Sequence, residues 1–199
     1  MAKMGRPRKF VEQDAVRAAR DQFWDKGYAA TSIDDLMTAT GLARASLYGA
    51  FGDKHALFLR AFDDYCGQSI DAFRVALRGE GPATDRLEAL MRNTAAAFAD
   101  DTRGCMLAKS TAELAGTDED VQQRTRAAYL ALHEAIVDCV RAAQAEGGID
   151  PSADPEQLAG VLLAVTRGME AIGKGGVDRA VLDAIAEGAI RMLPRAETR

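Results

Sequence analysis

Apolar residues recur at helical spacing along most of the chain, and short segments rich in glycine, proline or acidic residues interrupt them. Residues three and four apart share one face of a helix, so each run predicts an amphipathic helix with one buried side. The clearest break is the segment GEGP at residues 79–82. The runs predict an all-α fold of about nine helices, near residues 10–27, 31–40, 44–50, 53–78, 82–100, 104–115, 118–146, 155–173 and 178–193.

The segment 31–54 predicts two short helices around a tight bend, followed by the start of a much longer helix. A hydroxyl of Thr31 or Ser32 can cap the first helix by accepting an otherwise unsatisfied backbone N–H. Gly41 suits the bend because glycine tolerates a positive φ at little cost. A second helix of about seven residues then follows, from Arg44 onward.

Leu47 and Phe51 are predicted to pack this second helix inward. Its outward side would then carry one long cation, small residues that permit close approach, and an aromatic hydroxyl; these are Arg44, Ala45, Ser46, Tyr48 and Gly49. A helix with such a surface can enter a DNA major groove. The same pattern would also fit an ordinary helical hairpin in an all-α protein.

At these positions the chain resembles the TetR-type transcriptional repressors. The family pattern stands here as Thr31-Ser32-Ile33, Gly41-Leu42, Ser46-Leu47-Tyr48, Phe51, Lys54 and Leu57-Phe58. Two positions depart from it: many relatives have a histidine where this chain has Ala50, and several have a cation where it has Asp34. The resemblance implies an N-terminal helix-turn-helix DNA-binding domain at residues 1–55 and a helical ligand-binding and dimerisation domain at residues 56–199.

The expected function is a ligand-responsive regulator, a repressor that binds a palindromic duplex operator as a homodimer and is released by a small molecule. We expect Arg44 to contact a base edge, Ala45 and Ser46 to lie close to bases, and Thr31, Tyr48 and Lys54 to anchor phosphates. The full set of expected DNA-contacting residues is Thr31, Ser32, Arg44, Ala45, Ser46, Tyr48, Gly49, Lys54, Arg6 and Lys9. Arg6 and Lys9 belong to a basic N-terminal arm, which could instead be a solvated tail.

Charge is distributed unevenly, although the net formal charge is −5. Residues 1–55 carry nine Lys or Arg against seven Asp or Glu, whereas the remainder carries sixteen against twenty-three. A positive N-terminal part on an acidic body suits DNA binding. No apolar run approaches the roughly 18 residues that a membrane helix needs, and the basic N-terminus lacks the apolar region of a secretory signal. These features predict a cytoplasmic protein with no membrane partner.

The three cysteines lack the paired spacing of a metal site, and their number does not suggest a disulfide framework. Cys66 and Cys139 lie on apolar helix faces and are predicted to be core. Cys105 follows Arg103 and Gly104 at a predicted helix start, where the helix dipole and a cation both favour the thiolate. Cys105 is therefore either a buried structural residue or the sensor of a regulator that responds to electrophiles or oxidants.

An effector would lie among the helices of residues 53–146. The expected lining consists of Phe62, Tyr65, Met91, Phe98, Met106, Tyr129 and His133. The apolar faces of the two helices within residues 155–193 either complete the monomer core or pair with a second copy of the chain as a four-helix interface. The resemblance favours the second interpretation.

No phosphate-binding loop, dinucleotide-binding glycine pattern, HExxH motif or nucleophile elbow is present. His55 and His133 are too isolated to indicate a metal site. We therefore expect no enzyme activity, no cofactor and no metal. The competing hypothesis is a small-molecule enzyme or carrier in which the helix-turn-helix pattern is coincidental.

Overall fold

The computed structural model describes residues 12–100 and 103–196. Within these residues the chain forms nine α-helices and no named strand. The helices are α1 (Glu12–Lys26), α2 (Ile33–Thr40), α3 (Arg44–Phe51), α4 (Lys54–Leu77), α5 (Ala83–Asp100), α6 (Met106–Leu114), α7 (Glu119–Ala145), α8 (Pro155–Lys174) and α9 (Arg179–Arg191). The predicted all-α fold of about nine helices is confirmed.

Local hydrogen bonding explains where the first short helices begin and end. Ser32 caps α2: its Oγ accepts from the Asp35 amide at 3.1 Å, and the Asp35 carboxylate accepts from the Ser32 amide at 2.8 Å. This reciprocal capping box satisfies two backbone donors that α2 itself leaves free. Gly41 ends the helix at φ 66°, in the left-handed region where glycine is favoured.

The helices α4, α7 and α8 begin at acidic caps, whose charge also complements the helix dipole. Asp53 accepts from the Ala56 amide at the start of α4, and Asp154 caps α8 just before Pro155. The hydroxyl of Thr117, just before an acidic stretch, predicts Thr117 as the cap of α7, but this prediction is wrong. Asp118 caps α7 by accepting from the Val121 amide, since helical backbone geometry begins one residue later than expected.

Two clusters of buried side chains hold the helices together. The first cluster joins α1, α2 and α3, hereafter the head, to the first half of α4 and continues into α6 and α7. Phe23, Phe58 and Phe62 are its largest fully buried residues. The second cluster joins α5, α7, α8 and α9. The helix α4 thus packs on the head at one end and on the body, α5 to α9, at the other.

The helices α8 and α9 leave several large apolar side chains in contact with solvent in the single chain. Val161 is 55% exposed, Val181 is 45% exposed and Ile172 is 36% exposed. Exposed apolar groups on packed helices are typical of a surface that another molecule covers. None of the helices in the described ranges is both long enough and apolar enough to cross a membrane.

Candidate nucleic-acid interface and effector cavity

The helix α3 has one buried side and one solvent-facing side. Leu47 is fully buried and Phe51 is 6% exposed, so these two residues fix α3 against the head. The side chains that face solvent are those of Arg44, Ala45, Ser46 and Tyr48, and Gly49 is exposed as well. No neighbouring atom would lie within 4 Å of a Cβ added at Gly49, so this side of α3 is open to a close approach. It presents a short, solvent-facing helical surface of the kind that fits a DNA major groove.

Arg44, the first residue of α3, forms an ion pair with Asp34 in the first turn of α2. The Arg44 Nη2 atom lies 2.9 Å from the Asp34 Oδ1 atom, and the two side chains are 57% and 79% exposed. The guanidinium is therefore held by a carboxylate at the solvent-facing surface of the helix pair. The sequence identified both residues but did not indicate that they are in contact.

Thr31 cannot anchor a phosphate through its side chain, which corrects the expectation from the sequence. The residue is fully buried, and its hydroxyl donates a hydrogen bond of 2.6 Å to the carbonyl oxygen of Gly27. Ser32 is exposed at the N-terminus of α2, although its hydroxyl is used in the capping box. The polar group of Thr31 therefore stabilises the turn between α1 and α2.

Lys54 lies in the first turn of α4, with its Nζ atom 4.3 Å from the centre of the Tyr28 ring. Partial burial lowers the pKa of Lys54, and the nearby Glu113 carboxylate opposes that change. The ammonium therefore lies over an aromatic face, and the side chain remains partly exposed. Arg6 and Lys9, the other two expected contacts, lie outside the described residues.

A cavity of about 200 Å³ lies between the head and the body. Its lining is mostly apolar and consists of Trp24, Tyr65, Cys66, Ser69, Ile70, Phe73, Phe98, Gly104, Cys105, Leu107, Leu132 and Arg167. These residues come from α1, from α4 to α8 and from the segment before α6. Tyr65 and Phe98 were expected in such a lining.

The other expected lining residues lie elsewhere. Phe62 and Met91 are fully buried and Met106 is 1% exposed, so all three belong to the packed core. His133 lies on a surface groove of α7, where its Nε2 atom is 3.0 Å from the Glu156 carbonyl oxygen. Tyr129 packs, partly buried, against the cluster that contains the head.

Cys105 lies at the N-cap of α6 and lines the cavity. Arg167 Nη1 lies 3.7 Å from the Cys105 Sγ atom, whereas Arg103, the cation expected from the sequence, pairs with Asp25 and lies over the Trp24 ring. Glu170 accepts from the Cys105 amide at 3.1 Å and lies 2.9 Å from Arg167. Burial raises the pKa of the Glu170 carboxyl. The positive charge near the thiol is thus opposed by a carboxyl group.

The other two cysteines are core residues, as predicted. Cys66 is 9% exposed and Cys139 is 3% exposed. Burial raises the pKa of the Cys66 thiol to about 12 and also raises that of Cys139. All three cysteines are free thiols.

The helix α6 holds the turn between α1 and α2 through two oppositely charged side chains. Lys109 donates a hydrogen bond of 2.5 Å to the carbonyl oxygen of Trp24, at the C-terminal end of α1. One turn further along α6, the Glu113 carboxylate accepts from the Tyr28 and Ala29 amides at 2.9 and 2.7 Å. The sequence singled out neither Lys109 nor Glu113, because charged helical residues usually face solvent.

Trp24 completes this junction between head and body. Its indole Nε1 atom donates a hydrogen bond of 2.7 Å to the carbonyl oxygen of Gly104, and the Arg103 guanidinium lies over its ring at 4.0 Å. Its position in the sequence, next to the apolar residues of α1, predicts that Trp24 widens the buried face of that helix but does not indicate this hydrogen bond. The cavity is therefore in contact with a residue of the head itself.

A helix-turn-helix with an open recognition surface, joined by α4 and α6 to a helical body with a cavity, defines a DNA-binding transcriptional regulator. The comparisons with known proteins identify the family. Residues 15–61 match the bacterial regulatory proteins of the tetR family, and residues 83–188 match the tetracyclin repressor-like C-terminal domain. The chain belongs to the TetR family of transcriptional regulators.

Relatives of the chain extend over nearly its whole length. It is 28% identical to the HTH-type transcriptional repressor ComR of Escherichia coli (strain K12), over 96% of this chain and 92% of that protein. The chain is also 34% identical to a cysteine variant of the TetR family regulator CifR, whose structure was solved in complex with 26-base-pair operator DNA. The superposition has a TM-score of 0.81 and covers 96% of this chain and 100% of that one. Reduced NemR from E. coli, at 18% identity and a TM-score of 0.84, has the same fold.

Proposed function

We propose that the chain is a repressor that binds duplex DNA as a homodimer, with α3 of each subunit in a major groove. The observation that carries this proposal is the division of α3 into a buried side, Leu47 and Phe51, and a solvent-facing side that begins with Arg44. Two relatives from E. coli, ComR and BdcR, are described as transcriptional repressors, which favours repression over activation. A bacterial regulator that binds DNA would act in the cytoplasm.

The solvent-facing residues divide by the chemistry that each can offer to DNA. Arg44 can donate two hydrogen bonds to a guanine, and Ala45 and Ser46 follow it on the helix and would lie close to bases. Tyr48, which is 39% exposed, and Lys54 would contact phosphates and so fix the register of the protein on the duplex.

The test of DNA binding begins with selection of duplexes from a random pool, because selection requires no knowledge of the operator. Wild-type protein should enrich a palindrome whose half-sites are about one helical turn, or a multiple of it, apart. We expect Arg44→Ala to weaken binding to that duplex by about 1–3 kcal/mol and to relax preference at one base pair of each half-site. Lys54→Ala should weaken all duplexes alike and make the salt dependence shallower.

A matched control is Arg78→Ala, which removes an exposed cation from the far end of α4. This change should leave both affinity and selectivity close to those of the wild type. Enrichment of no duplex by the wild-type protein would rule out the regulator proposal. Unchanged selectivity in Arg44→Ala would rule out the base contact alone.

The cavity between head and body is the proposed effector site. An apolar cavity of about 150 Å³ accommodates benzene, so one of about 200 Å³ suits a single ring with small substituents. Arg167 is the charged side chain in the lining, and Glu170 pairs with it at 2.9 Å. A second negative charge beside Glu170 would be unfavourable, so the proposed effector is small, mostly apolar and uncharged.

Effector binding would act on DNA through the junction of head and body. A ligand in the cavity touches both Trp24 and Gly104, which are joined by a hydrogen bond, and the adjoining α6 holds the α1–α2 turn through Glu113. A ligand releases DNA only to the extent that it prefers the arrangement of the two heads that does not fit the duplex.

The effector proposal is tested with ethylbenzene, p-cresol and benzoate as probes of size and charge. Trp24 is the single tryptophan of the chain, so its fluorescence reports ligand binding independently of DNA. The two uncharged probes should change the Trp24 emission and weaken DNA binding, whereas benzoate should do neither. Ile70→Phe, which fills the cavity, should abolish the response, and Val75→Phe on the exposed side of α4 should preserve it.

One further variant distinguishes oxidant sensing by Cys105 from release by a reversibly bound ligand. Cys105 contacts both the Arg167 guanidinium and, through its amide, the Glu170 carboxylate, and these two charged groups are paired with each other. Cys105→Ser should therefore respond to the uncharged probes as the wild type does. An enzyme or carrier would show turnover or ligand binding without any effect on DNA binding, and a gel-shift titration of the selected duplex distinguishes these outcomes.

A further inference from the structure

The first turn of α2 places two carboxylates next to the recognition helix, and each is paired with a cation of the head. Asp35 belongs to the capping box and contacts Lys26 Nζ at 2.6 Å. Asp34 has no capping role in that box and contacts Arg44 Nη2 at 2.9 Å. Arg44, the residue best suited to recognise a base, is therefore paired with the Asp34 carboxylate in the absence of DNA.

A negative charge at this position is unfavourable for simple DNA binding. Any duplex surrounds α2 and α3 with phosphates, and non-specific affinity comes from cations that displace counterions from those phosphates. The carboxylate of Asp34 cancels the charge of Arg44 and adds repulsion at the interface. If affinity for DNA were the only requirement, an acidic residue at position 34 would be a disadvantage. The ion pair of Asp34 with Arg44 is therefore better explained by an effect on selectivity among DNA sequences.

We propose that Asp34 is a specificity-determining residue, which acts by holding and orienting the guanidinium of Arg44. This inference rests on the proposed base contact of Arg44. The guanidinium is a rigid plane with five N–H donors, and Asp34 engages it at Nη2. A carboxylate at one nitrogen restricts rotation of the plane and leaves other N–H groups free for the N7 and O6 atoms of a guanine.

The same contact discriminates against other sequences. On a duplex without guanine at that position, Arg44 gains no base contact and stays paired with Asp34, so it contributes little to phosphate attraction. On the correct duplex, the guanidinium donates to the base and to Asp34 together. Asp34 thus lowers non-specific affinity more than it lowers operator affinity.

The test compares Asp34→Asn with the wild type on the selected duplex and on a scrambled duplex of the same length, at several salt concentrations. We expect affinity for the scrambled duplex to rise by about fivefold or more and its salt dependence to steepen by about one unit, because Arg44 is freed to attract a phosphate. Affinity for the selected duplex should rise less, so the ratio of the two affinities should fall by about threefold.

Two further variants control for charge and for folding. Asp14→Asn removes an equivalent carboxylate that pairs with Arg17 on α1 at 3.3 Å, and it should leave the affinity ratio unchanged. Asp34→Glu keeps the charge and can still reach Arg44, so it should retain most of the wild-type ratio. Circular dichroism of each variant establishes that the helical content is preserved.

A double-mutant cycle separates an effect through Arg44 from a general effect of charge. In the Arg44→Ala background, Asp34→Asn should raise both affinities equally and leave their ratio unchanged. The proposal is overturned if Asp34→Asn leaves the ratio unchanged in the wild-type background, or lowers it equally in both backgrounds. A wild-type chain that selects no duplex would overturn the proposed function itself, and this is seen before any variant is compared.

Discussion

The indole nitrogen of Trp24 lies 2.7 Å from the carbonyl oxygen of Gly104, to which it donates a hydrogen bond across 80 residues of sequence. Trp24 belongs to α1 of the head, whereas Gly104 precedes α6 of the body. Both residues also line the cavity. One contact therefore joins the three parts that a ligand-released repressor must couple: the DNA-binding head, the element that holds it and the proposed effector site.

Trp24→Phe should destabilise the fold by about 1 kcal/mol, because it keeps an aromatic ring but removes the donor to the carbonyl oxygen of the buried Gly104. The measurement is urea unfolding followed by circular dichroism, at one fixed protein concentration. Tyr48→Phe, which removes a polar group from an exposed ring, serves as the control and should change stability little. Equal stability of Trp24→Phe and wild type would show that this hydrogen bond contributes nothing.

Asp35 should make the head more stable at neutral than at acidic pH. Hydrogen bonds from Lys26 and then from Ser32 hold the pKa of Asp35 well below its usual range. A carboxyl whose pKa is lowered by folding contributes stability above its unfolded pKa of about 4, and this contribution is lost as pH falls toward the folded pKa. Asp35→Asn should therefore be less stable than wild type at pH 7, and the difference should shrink below about pH 4.

That pH dependence is measured by urea unfolding from pH 7 down to about pH 2. Asp71→Asn is a suitable control, because Asp71 is exposed on α4 and its nearest ion-pair contact, with Arg74, is 3.9 Å. At pH 7 this variant should be about as stable as the wild type. If the free energies of unfolding of Asp35→Asn and wild type differ by the same amount at every pH, the claim that folding lowers the pKa of Asp35 is wrong.

Val161 and Val181 should lie in the contact between the two subunits of the dimer. A charge placed inside an apolar interface loses hydration without gaining a partner, so Val161→Asp or Val181→Asp should shift the protein toward monomer. Val75→Asp is the matched control, since Val75 is 72% exposed but lies on α4. Sedimentation velocity over a range of protein concentrations measures the monomer–dimer equilibrium of each variant. If Val161→Asp and Val181→Asp both dimerise like the wild type, this surface is not the dimer interface.

Gly173 should tolerate no side chain, because a Cβ there would lie 2.6 Å from the Phe98 carbonyl oxygen and 3.2 Å from Leu182 Cδ1. Gly173→Ala must therefore push α8 away from α5 and α9, at a cost of about 1–3 kcal/mol. Gly67→Ala is the opposite case, because Gly67 is exposed within α4 and a Cβ added there would have no neighbouring side chain or non-local backbone atom within 4 Å. It should stabilise the helix by about 0.5–1 kcal/mol. Thermal unfolding of the two variants should shift in opposite directions.

The helix-turn-helix was predictable because its determinants are local in sequence. Ser32 caps α2, Gly41 ends it, and Asp53 begins α4, and each acts through backbone groups within a few residues. The buried side of α3 was equally predictable, because Leu47 and Phe51 are one turn apart on the same face. Helical spacing and capping chemistry therefore determined the nine helices found within residues 12–100 and 103–196, and the outward side of the recognition helix.

The cavity and the contacts between head and body required the tertiary structure. Phe62 and Phe73 both occupy apolar positions on α4, yet Phe62 is fully buried in the core and Phe73 lines the cavity. Likewise, the ion pair of Arg44 with Asp34 and the contacts of Glu113 with the α1–α2 turn join separate elements. Periodicity states which side of a helix is apolar, but only the packing of non-local helices decides whether an apolar side chain fills the core or borders a void, and which charges meet.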